Sequence, residues 1–248
     1  MYREYAPPRA LAEFVECFWQ RRLSDRSLDP TGAVLPDGRV DLLWSAGGQL
    51  IVAGPATRSL PRPLTPPFAV VGARFYPGVG PALLGLPAHE LVDLHVPLAN
   101  LDSRPAWALG AGLAGAEHAG QAVSAMAEGI SRLGGGSVAI DPLVRAAARW
   151  LDRPGLGVGS VAQGVGISER QLERRFRDAV GYGPKTLQRI LRFQRALAEL
   201  RRGRDQSGGL AQVAAATGYA DQAHLTRESR RLAGFSPKRL ELHGPEAR

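Results

Sequence analysis

The chain has 248 residues, of which 44% are hydrophobic, enough for one or two packed domains. It contains no run of about 18 apolar residues, so it predicts no membrane span, and its first residues lack the layout of a secretory signal. A single cysteine, Cys17, excludes an internal disulfide, and no Cys/His cluster has metal-ligand spacing. We therefore expect a cytoplasmic protein with no metal and no cofactor.

The formal charge of +8 is concentrated in the second half of the chain. Residues 1–140 carry 11 Arg against 12 Asp and Glu, whereas residues 141–248 carry 20 Lys and Arg against 11 acidic residues, an excess of nine positive charges. A basic half beside a neutral half predicts a polyanionic partner for one domain only. Nucleic acid is the usual partner; an anionic membrane surface and a merely solvated Arg-rich face are the alternatives.

The first half predicts a small sheet with flanking helices. Apolar residues recur at helical spacing over Arg9–Trp19, which predicts a helix. Val40–Trp44 and Gln49–Val52 are apolar runs joined through two glycines, which predicts a hairpin, and Phe68–Phe75 predicts a further buried strand. A group of prolines between residues 61 and 67 predicts an irregular loop.

Residues 103–133 are rich in alanine and are predicted to be helical. Their apolar stripe, centred on Met126 and Ile130, either packs on its own domain or joins two chains in a homodimer. The glycine run that follows predicts a flexible joint. The joint separates three predicted parts of the chain: a domain at 1–133, a linker at 134–140 and a domain at 141–248.

From residue 141 onward the predicted structure is entirely helical, and its pattern occurs twice. The matched segments are Val161-Ala162 with Val213-Ala214 and Gly166-Ile167 with Gly218-Tyr219, each 52 residues apart, and Leu172-Glu173-Arg174 with Leu225-Thr226-Arg227 and 181–187 with 234–240, each 53 residues apart. Matches that keep one order along the chain predict a duplicated helical unit.

Each unit has the pattern of a helix-turn-helix motif. A short helix is followed by a glycine, Gly166 or Gly218, where the chain turns, and then by a second helix. Ser168 and Gln171 predict a capping box at the start of the second helix in the first unit, and Asp221 predicts a cap in the second unit. The second helix of such a motif enters the DNA major groove. The predicted units span about residues 158–180 and 209–233.

Polar residues on the two second helices are the candidates for reading bases, because Arg, Gln and Glu bind the edges of guanine, adenine and cytosine. A solvated helix face is the alternative interpretation of the same residues. The base-contact candidates are Arg170, Glu173 and Arg174 in the first unit and Gln222, His224, Thr226 and Arg227 in the second. Phosphate contacts are expected near helix starts and along the helix between the units. The phosphate candidates are Lys185, Arg189, Arg192 and Lys238.

The stretch from about Leu156 to Leu240 resembles the DNA-binding domain of AraC/XylS-type transcription regulators. Segments 218–225 and 234–237 are similar to the signature of that family, and segment 181–184 is similar to its mid-domain counterpart. The resemblance covers about a third of the chain. It implies two recognition helices in successive major grooves, about 34 Å apart, and activation through RNA polymerase. Ser229 departs from the pattern, since the family usually has an aromatic residue there.

Segments 35–42 and 73–78 look like the small amino-terminal domain of a subset of these regulators, for which no ligand is assigned. In the wider family such domains bind a small effector, form dimers, or do both. The segment is too short and too helical for the full barrel of the sugar-binding members. The residues predicted to line an effector pocket, unless they are ordinary core and rim residues, are Trp44, Arg74, Phe75 and Tyr76.

Two other classes of function are weighed against a regulator. An enzyme is disfavoured because the glycines of 78–80 and 155–159 complete no phosphate-loop motif, and no nucleophile joins His89 and His95; we expect no catalytic residues. The second alternative is a small-molecule-binding or enzymatic first domain whose helical half binds protein, and the basic charge argues against it. The sequence therefore predicts a nucleoid-associated DNA-binding regulator that is modulated by its first domain.

Overall fold

The protein has an α+β architecture, as predicted, with an antiparallel sheet in its first half and, over the residues that the structure describes, only helices in its second half. The computed structural model describes residues 2–23, 33–61, 68–136, 138–202 and 209–242. The predicted proline-rich loop falls mostly on residues 62–67, outside the described residues. Among the described helices, none combines the length and the apolarity that crossing a membrane requires.

The strands of the first half form one large sheet and one small ribbon. The strands are β1 (Tyr2–Tyr5), β2 (Val15–Leu23), β3 (Ala33–Val34), β4 (Val40–Ser45), β5 (Leu50–Ala53), β6 (Leu60–Pro61), β7 (Phe68–Phe75) and β8 (His95–Pro97). The large sheet has the order β1-β2-β7-β4-β5-β8, and its neighbouring strands are antiparallel. β3 pairs with β6 in the ribbon. The predicted β4–β5 hairpin and the predicted strand β7 are confirmed.

One face of the large sheet carries the main core of the first half. The covering helices are α1 (Val79–Leu84), α2 (Arg104–Leu113) and α3 (Ala119–Gly134). Because strands alternate their side chains, Leu42, Trp44 and Phe75 point into this core and are almost fully buried. Met126 and Ile130 of α3 lie in the same core. The apolar stripe of α3 therefore packs on its own domain and is not available for a homodimer contact.

The predicted helix over Arg9–Trp19 is wrong, because the segment enters strand β2 at Val15. A single 3-10 turn at Arg9–Leu11 precedes the strand. The register of β2 against β7 shifts between Val15 and Cys17, which marks a bulge. The bulge puts Val15 and Phe18, three residues apart, on the same buried face, and this spacing imitates that of a helix.

The helices of the second half repeat one arrangement. They are α4 (Pro142–Leu151), α5 (Val158–Gly164), α6 (Glu169–Val180), α7 (Pro184–Arg202), α8 (Leu210–Thr217), α9 (Gln222–Ala233) and α10 (Pro237–Leu242). In the first unit α4 contacts α5 and α6, and in the second unit α7 contacts α8 and α9. Both turning glycines, Gly166 and Gly218, have positive φ angles, of 77° and 81°. The long helix α7 belongs to the second unit and also joins it to the first.

The segment between the two halves is more closely packed than a flexible joint. α3 continues through Gly134, where an added Cβ atom would lie 2.5 Å from Cε2 of Phe14. Val138 and Ile140 pack against the core of the first half. The aromatic contact at Gly134 leaves no room for a side chain. The exact domain boundaries stay a prediction.

Candidate nucleic-acid interface

The first predicted recognition helix is α6, and its start is capped as expected. The backbone N–H of Gln171 donates to Oγ of Ser168 at 3.2 Å, and the N–H of Ser168 donates to Oε1 of Gln171 at 2.9 Å. Leu172 and Phe176 point inward and are fully buried. The opposite face of α6 is consequently turned to solvent over its first two turns.

The base-contact candidates of α6 lie on that outer face. Arg170 and Arg174 are exposed, and neither has an ion-pair partner among the described residues. Glu173 is half-buried, and its Oε1 lies 2.9 Å from Nη2 of Arg177, one turn along the helix. The two arginines are therefore free to approach a ligand, whereas the carboxylate of Glu173 is already paired.

The second predicted recognition helix is α9, which Asp221 caps by accepting the N–H of His224 at 2.6 Å. Gln222 and Arg227 are exposed at its start, and Thr226 is half-buried beside them. The ring of His224 packs edge-on against Tyr219, with centroids 5.2 Å apart. His224 thus lies against the turn of its own unit. Gln222 and Arg227 are the base-contact candidates of α9 that are most accessible to a ligand.

The departure at Ser229 has a structural consequence. Ser229 occupies the position that Phe176 has in the first unit, 53 residues earlier. Its side chain is fully buried, and its Oγ has no hydrogen-bond partner among the described residues. Tyr219 lies in a small core with Ala196, Ala214 and Leu225, whereas Phe235 packs on the larger core that both units share. Tyr219 alone therefore replaces part of the missing aromatic volume.

The four phosphate candidates divide into two pairs. Lys185 and Lys238 are exposed near the starts of α7 and α10, where free backbone N–H groups also favour anions. Arg189 instead forms an ion pair with Glu228, at 2.8 Å from Nε to Oε2. The guanidinium of Arg192 lies over the ring of Tyr219, 4.6 Å from its centroid. Both arginines are thus engaged inside the second unit.

The four pocket candidates of the first half do not share one environment, although Tyr76 packs against the core that contains Trp44 and Phe75. Trp44 and Phe75 lie in the main core. Arg74 points to the opposite face of the sheet, because it alternates with Phe75 along β7. Tyr76 lies beyond the end of β7, where the guanidinium of Arg145 is 6.0 Å from its ring centroid.

Arg74 is instead the centre of a charged network that was not predicted from the sequence. Its Nε lies 3.2 Å from Oδ1 of Asp41 and 3.7 Å from Oδ2 of Asp37, and its Nη1 lies 3.6 Å from Oε1 of Glu4. Burial raises the pKa of Asp41, and the charge of Arg74 opposes that shift. Asp41 and Arg74 are cross-strand partners on β4 and β7. Each is the one charged residue of an otherwise apolar strand, and this was the sequence signal that could have revealed the network.

This network lines a cleft between the sheet and the helical half. The cleft has a volume of about 290 Å³, and its far wall includes Leu191 and Gln194 of α7. Arg39 also lines it and donates to both oxygens of Glu16, at 2.6 Å and 3.1 Å. Its lining is more polar than apolar, so the cleft can accommodate a small polar or charged molecule.

The first half contacts both helix-turn-helix units. Val92 meets Gly181 at the end of α6, where an added Cβ atom would lie 2.4 Å from Cγ2 of Val92. The N–H of Ser59 donates to the carbonyl oxygen of Leu232 on α9 at 2.7 Å. Between them, Nε2 of Gln194 on α7 donates to a carbonyl oxygen of the first half, that of Pro36, at 2.6 Å. The sheet domain is thus a common support for the two recognition helices.

Each half of the chain matches a known protein family. Residues 161–241 match a family described as a helix-turn-helix domain, and residues 3–97 match a domain of unknown function (DUF6597). The probable thc operon regulatory protein of Rhodococcus erythropolis is 30% identical over 102 residues, which are 40% of this chain. The matched part is 31% of that protein, so the chain spans about a third of the length of this curated relative.

Solved structures of ToxT from Vibrio cholerae have a weak overall likeness to the chain. The apo protein of strain SCE256 gives a TM-score of 0.45 at 10% identity, over 98% of this chain and 97% of that one. ToxT of strain O395 gives a TM-score of 0.46 at 10% identity, over 85% and 92%.

The exposed, capped second helices and the helix-turn-helix match define the class of the second half, a helix-turn-helix domain of the DNA-binding kind. Residues 161–241 thus belong to a helix-turn-helix family and residues 3–97 to the DUF6597 family. The resemblance noted in the sequence is confirmed for both halves.

Proposed function

We propose that the chain is a sequence-specific transcription regulator that places α6 and α9 in two successive major grooves. The observation that carries the proposal is the pair of capped recognition helices, each with exposed polar residues at its start. Arg174 of α6 and Arg227 of α9 occupy the same position of the repeat and are both exposed. Arginine at such a position binds guanine through two hydrogen bonds. The basic charge of the second half supplies the attraction to DNA that does not depend on sequence.

The test is a titration of the full chain against its own upstream DNA and against random DNA, at several salt concentrations. We expect wild type to prefer one upstream site. Arg174→Ala and Arg227→Ala should each lose about 1–3 kcal/mol of that preference, because each removes a base contact. Arg202→Ala is the matched control, since Arg202 is an exposed arginine paired with Glu199 at the far end of α7.

Each outcome of the titration is informative. A loss confined to Arg174→Ala would mean that α9 contacts only phosphates. A uniform loss for all sequences in both variants, with a smaller salt dependence, would make both arginines phosphate ligands. If wild type binds upstream and random DNA equally, the assignment of sequence-specific binding is wrong.

We further propose that the first half modulates DNA binding through its contacts with both units. Because it holds α6 at Val92 and α9 at Ser59, a shift of the sheet domain changes the relation between the two recognition helices. The cleft around Arg74 lies beside α7, so it is the candidate effector site. Its charged lining suits a small polar effector. This cleft takes the place of the predicted pocket around Trp44 as the candidate effector site.

The remaining proposed partners are RNA polymerase and a second copy of the chain. AraC-type resemblance favours activation, in which a regulator on the promoter presents a surface to RNA polymerase. In vitro transcription from the preferred upstream site, with and without the protein, decides between activation and repression. A homodimer would have to form through a surface other than the buried stripe of α3.

A further inference from the structure

A bidentate ion pair, with two hydrogen bonds, joins the second recognition helix to the helix that connects the units. The guanidinium of Arg189 on α7 donates from Nε to Oε2 of Glu228 at 2.8 Å and from Nη2 to Oε1 at 3.1 Å. The two side chains are only 19% and 12% exposed. Burial acts to raise the pKa of Glu228, but the hydrogen bonds and charge of Arg189 outweigh it and leave this pKa below its usual value. Two parallel hydrogen bonds fix the rotation of α9 against α7 as well as its distance.

The first unit contains a counterpart with the charges exchanged. Arg175 precedes Phe176 in α6, as Glu228 precedes Ser229 in α9. Nη1 of Arg175 lies 2.6 Å from Oδ2 of Asp141, the residue that caps α4. In both units, therefore, the same position of the recognition helix is tied by an ion pair to the helix that precedes the helix-turn-helix motif, at the cap of α4 in the first unit and on α7 in the second. Because an ion pair occurs at this position in both units, with its charges exchanged, we infer that it has the same role in both.

The second unit depends on its ion pair more than the first unit does. Phe176 anchors α6 deep in a large core, whereas Ser229 contributes almost no apolar volume at the equivalent position of α9. α9 contributes Leu225 to the small core of its own unit and Leu232 to the larger core near its end. Between these two contacts, at Ser229, the middle of α9 has no large apolar anchor. The pair of Arg189 with Glu228 supplies the missing restraint.

We propose that Arg189 and Glu228 are positioning residues that set the orientation of α9 in the major groove, and that Arg189 does not bind phosphate. The inference rests on the proposed function, because it takes α9 to read bases. Gln222 and Arg227 move with α9, so a rotation of that helix displaces both from the base edges. Loss of the pair should therefore weaken sequence discrimination at the half-site that α9 reads and spare the half-site that α6 reads.

The test uses the full chain and a preferred duplex selected from random sequences. Single base substitutions in each half-site give the discrimination of each recognition helix. The variants are Glu228→Gln, Arg189→Glu, Glu228→Arg and the double variant that exchanges the two charges. Arg202→Glu is the control, because it reverses an exposed charge on the same helix away from the pair. Melting temperatures and the salt dependence of binding are measured for every variant.

We expect Glu228→Gln to lose about tenfold in discrimination at one half-site only, which is within the value of a single base contact. The charge exchange should restore it, and the salt slope should stay that of the control. The opposite result would overturn the inference. In that case Arg189→Glu lowers the salt slope of binding more than the control does. Glu228→Gln then binds as well as wild type, and the charge exchange restores no discrimination. Glu228→Gln keeps the shape of the side chain, so it decides the matter even if the reversals fail to fold. A wild type without a preferred duplex would instead refute the proposed function, before any variant is compared.

Discussion

Replacing Ser229 by alanine tests whether the second helix-turn-helix unit is held less firmly than the first. The Oγ atom of Ser229 is buried without a partner among the described residues. An unpaired buried hydroxyl costs about 1–3 kcal/mol in proteins, and alanine also has the higher helix propensity. Ser229→Ala should therefore stabilise the fold by about 1–2 kcal/mol. In a chain of this size each kcal/mol raises the melting temperature by about 2–4 °C.

The matched variant in the first unit should act in the opposite direction. Phe176 is fully buried among Leu172, Val180 and the other large side chains of its core. Phe176→Ala leaves a cavity and should cost about 3–5 kcal/mol. Two alanine substitutions at equivalent positions of the repeat are thus expected to change stability with opposite signs.

Hydrogen exchange measures the two units separately. We expect the backbone amides of α9 to open at a lower free energy than those of α6 in wild type, because local stability follows apolar burial. Ser229→Ala should narrow that difference. If Ser229→Ala lowers the melting temperature by several degrees, or if α9 is protected as well as α6, the second unit is not the weaker one. The assumption that Oγ has no partner would then be wrong.

Two further variants address the first half. Ser59→Pro removes the N–H that reaches Leu232 and should change the affinity for the preferred DNA site, whereas Ser59→Ala, which keeps that N–H, should not; equal binding by both would argue against modulation through this contact. A thermal-shift screen of small charged compounds tests the cleft, and a ligand that stabilises wild type should lose its effect in Asp37→Asn but keep it in Glu117→Gln, which lies outside the cleft lining. A ligand that stabilises both variants equally binds elsewhere.

The helical half could be predicted closely from the sequence, because its signals are local. The turning glycines Gly166 and Gly218, the cap at Ser168 and the repeat at 52–53 residues each act within one turn or one helix. Such signals keep their meaning whatever packs against them. The β4–β5 hairpin was predictable for the same reason, since its glycines and apolar runs are adjacent in the chain.

The failures of sequence-based prediction arose where residues meet across long separations. A bulge in β2 gave a strand the spacing of a helix, and only its pairing with β7 resolved the ambiguity. The pairing of Arg189, a predicted phosphate ligand, with Glu228 could not be read from the sequence, because the two residues are 39 positions apart. Asp41 and Arg74, 33 positions apart, meet because β4 and β7 are neighbours in the sheet.

The sequence by itself determined that this chain carries two helix-turn-helix units and a basic half suited to DNA. Periodicity, capping residues and net charge depend only on neighbours along the chain, so they survive without coordinates. Only the tertiary structure decided which charged side chains are free for a ligand and which are paired internally. Arg174 and Arg189 have the same chemistry, and the difference between them is the carboxylate that the fold brings to one and not to the other.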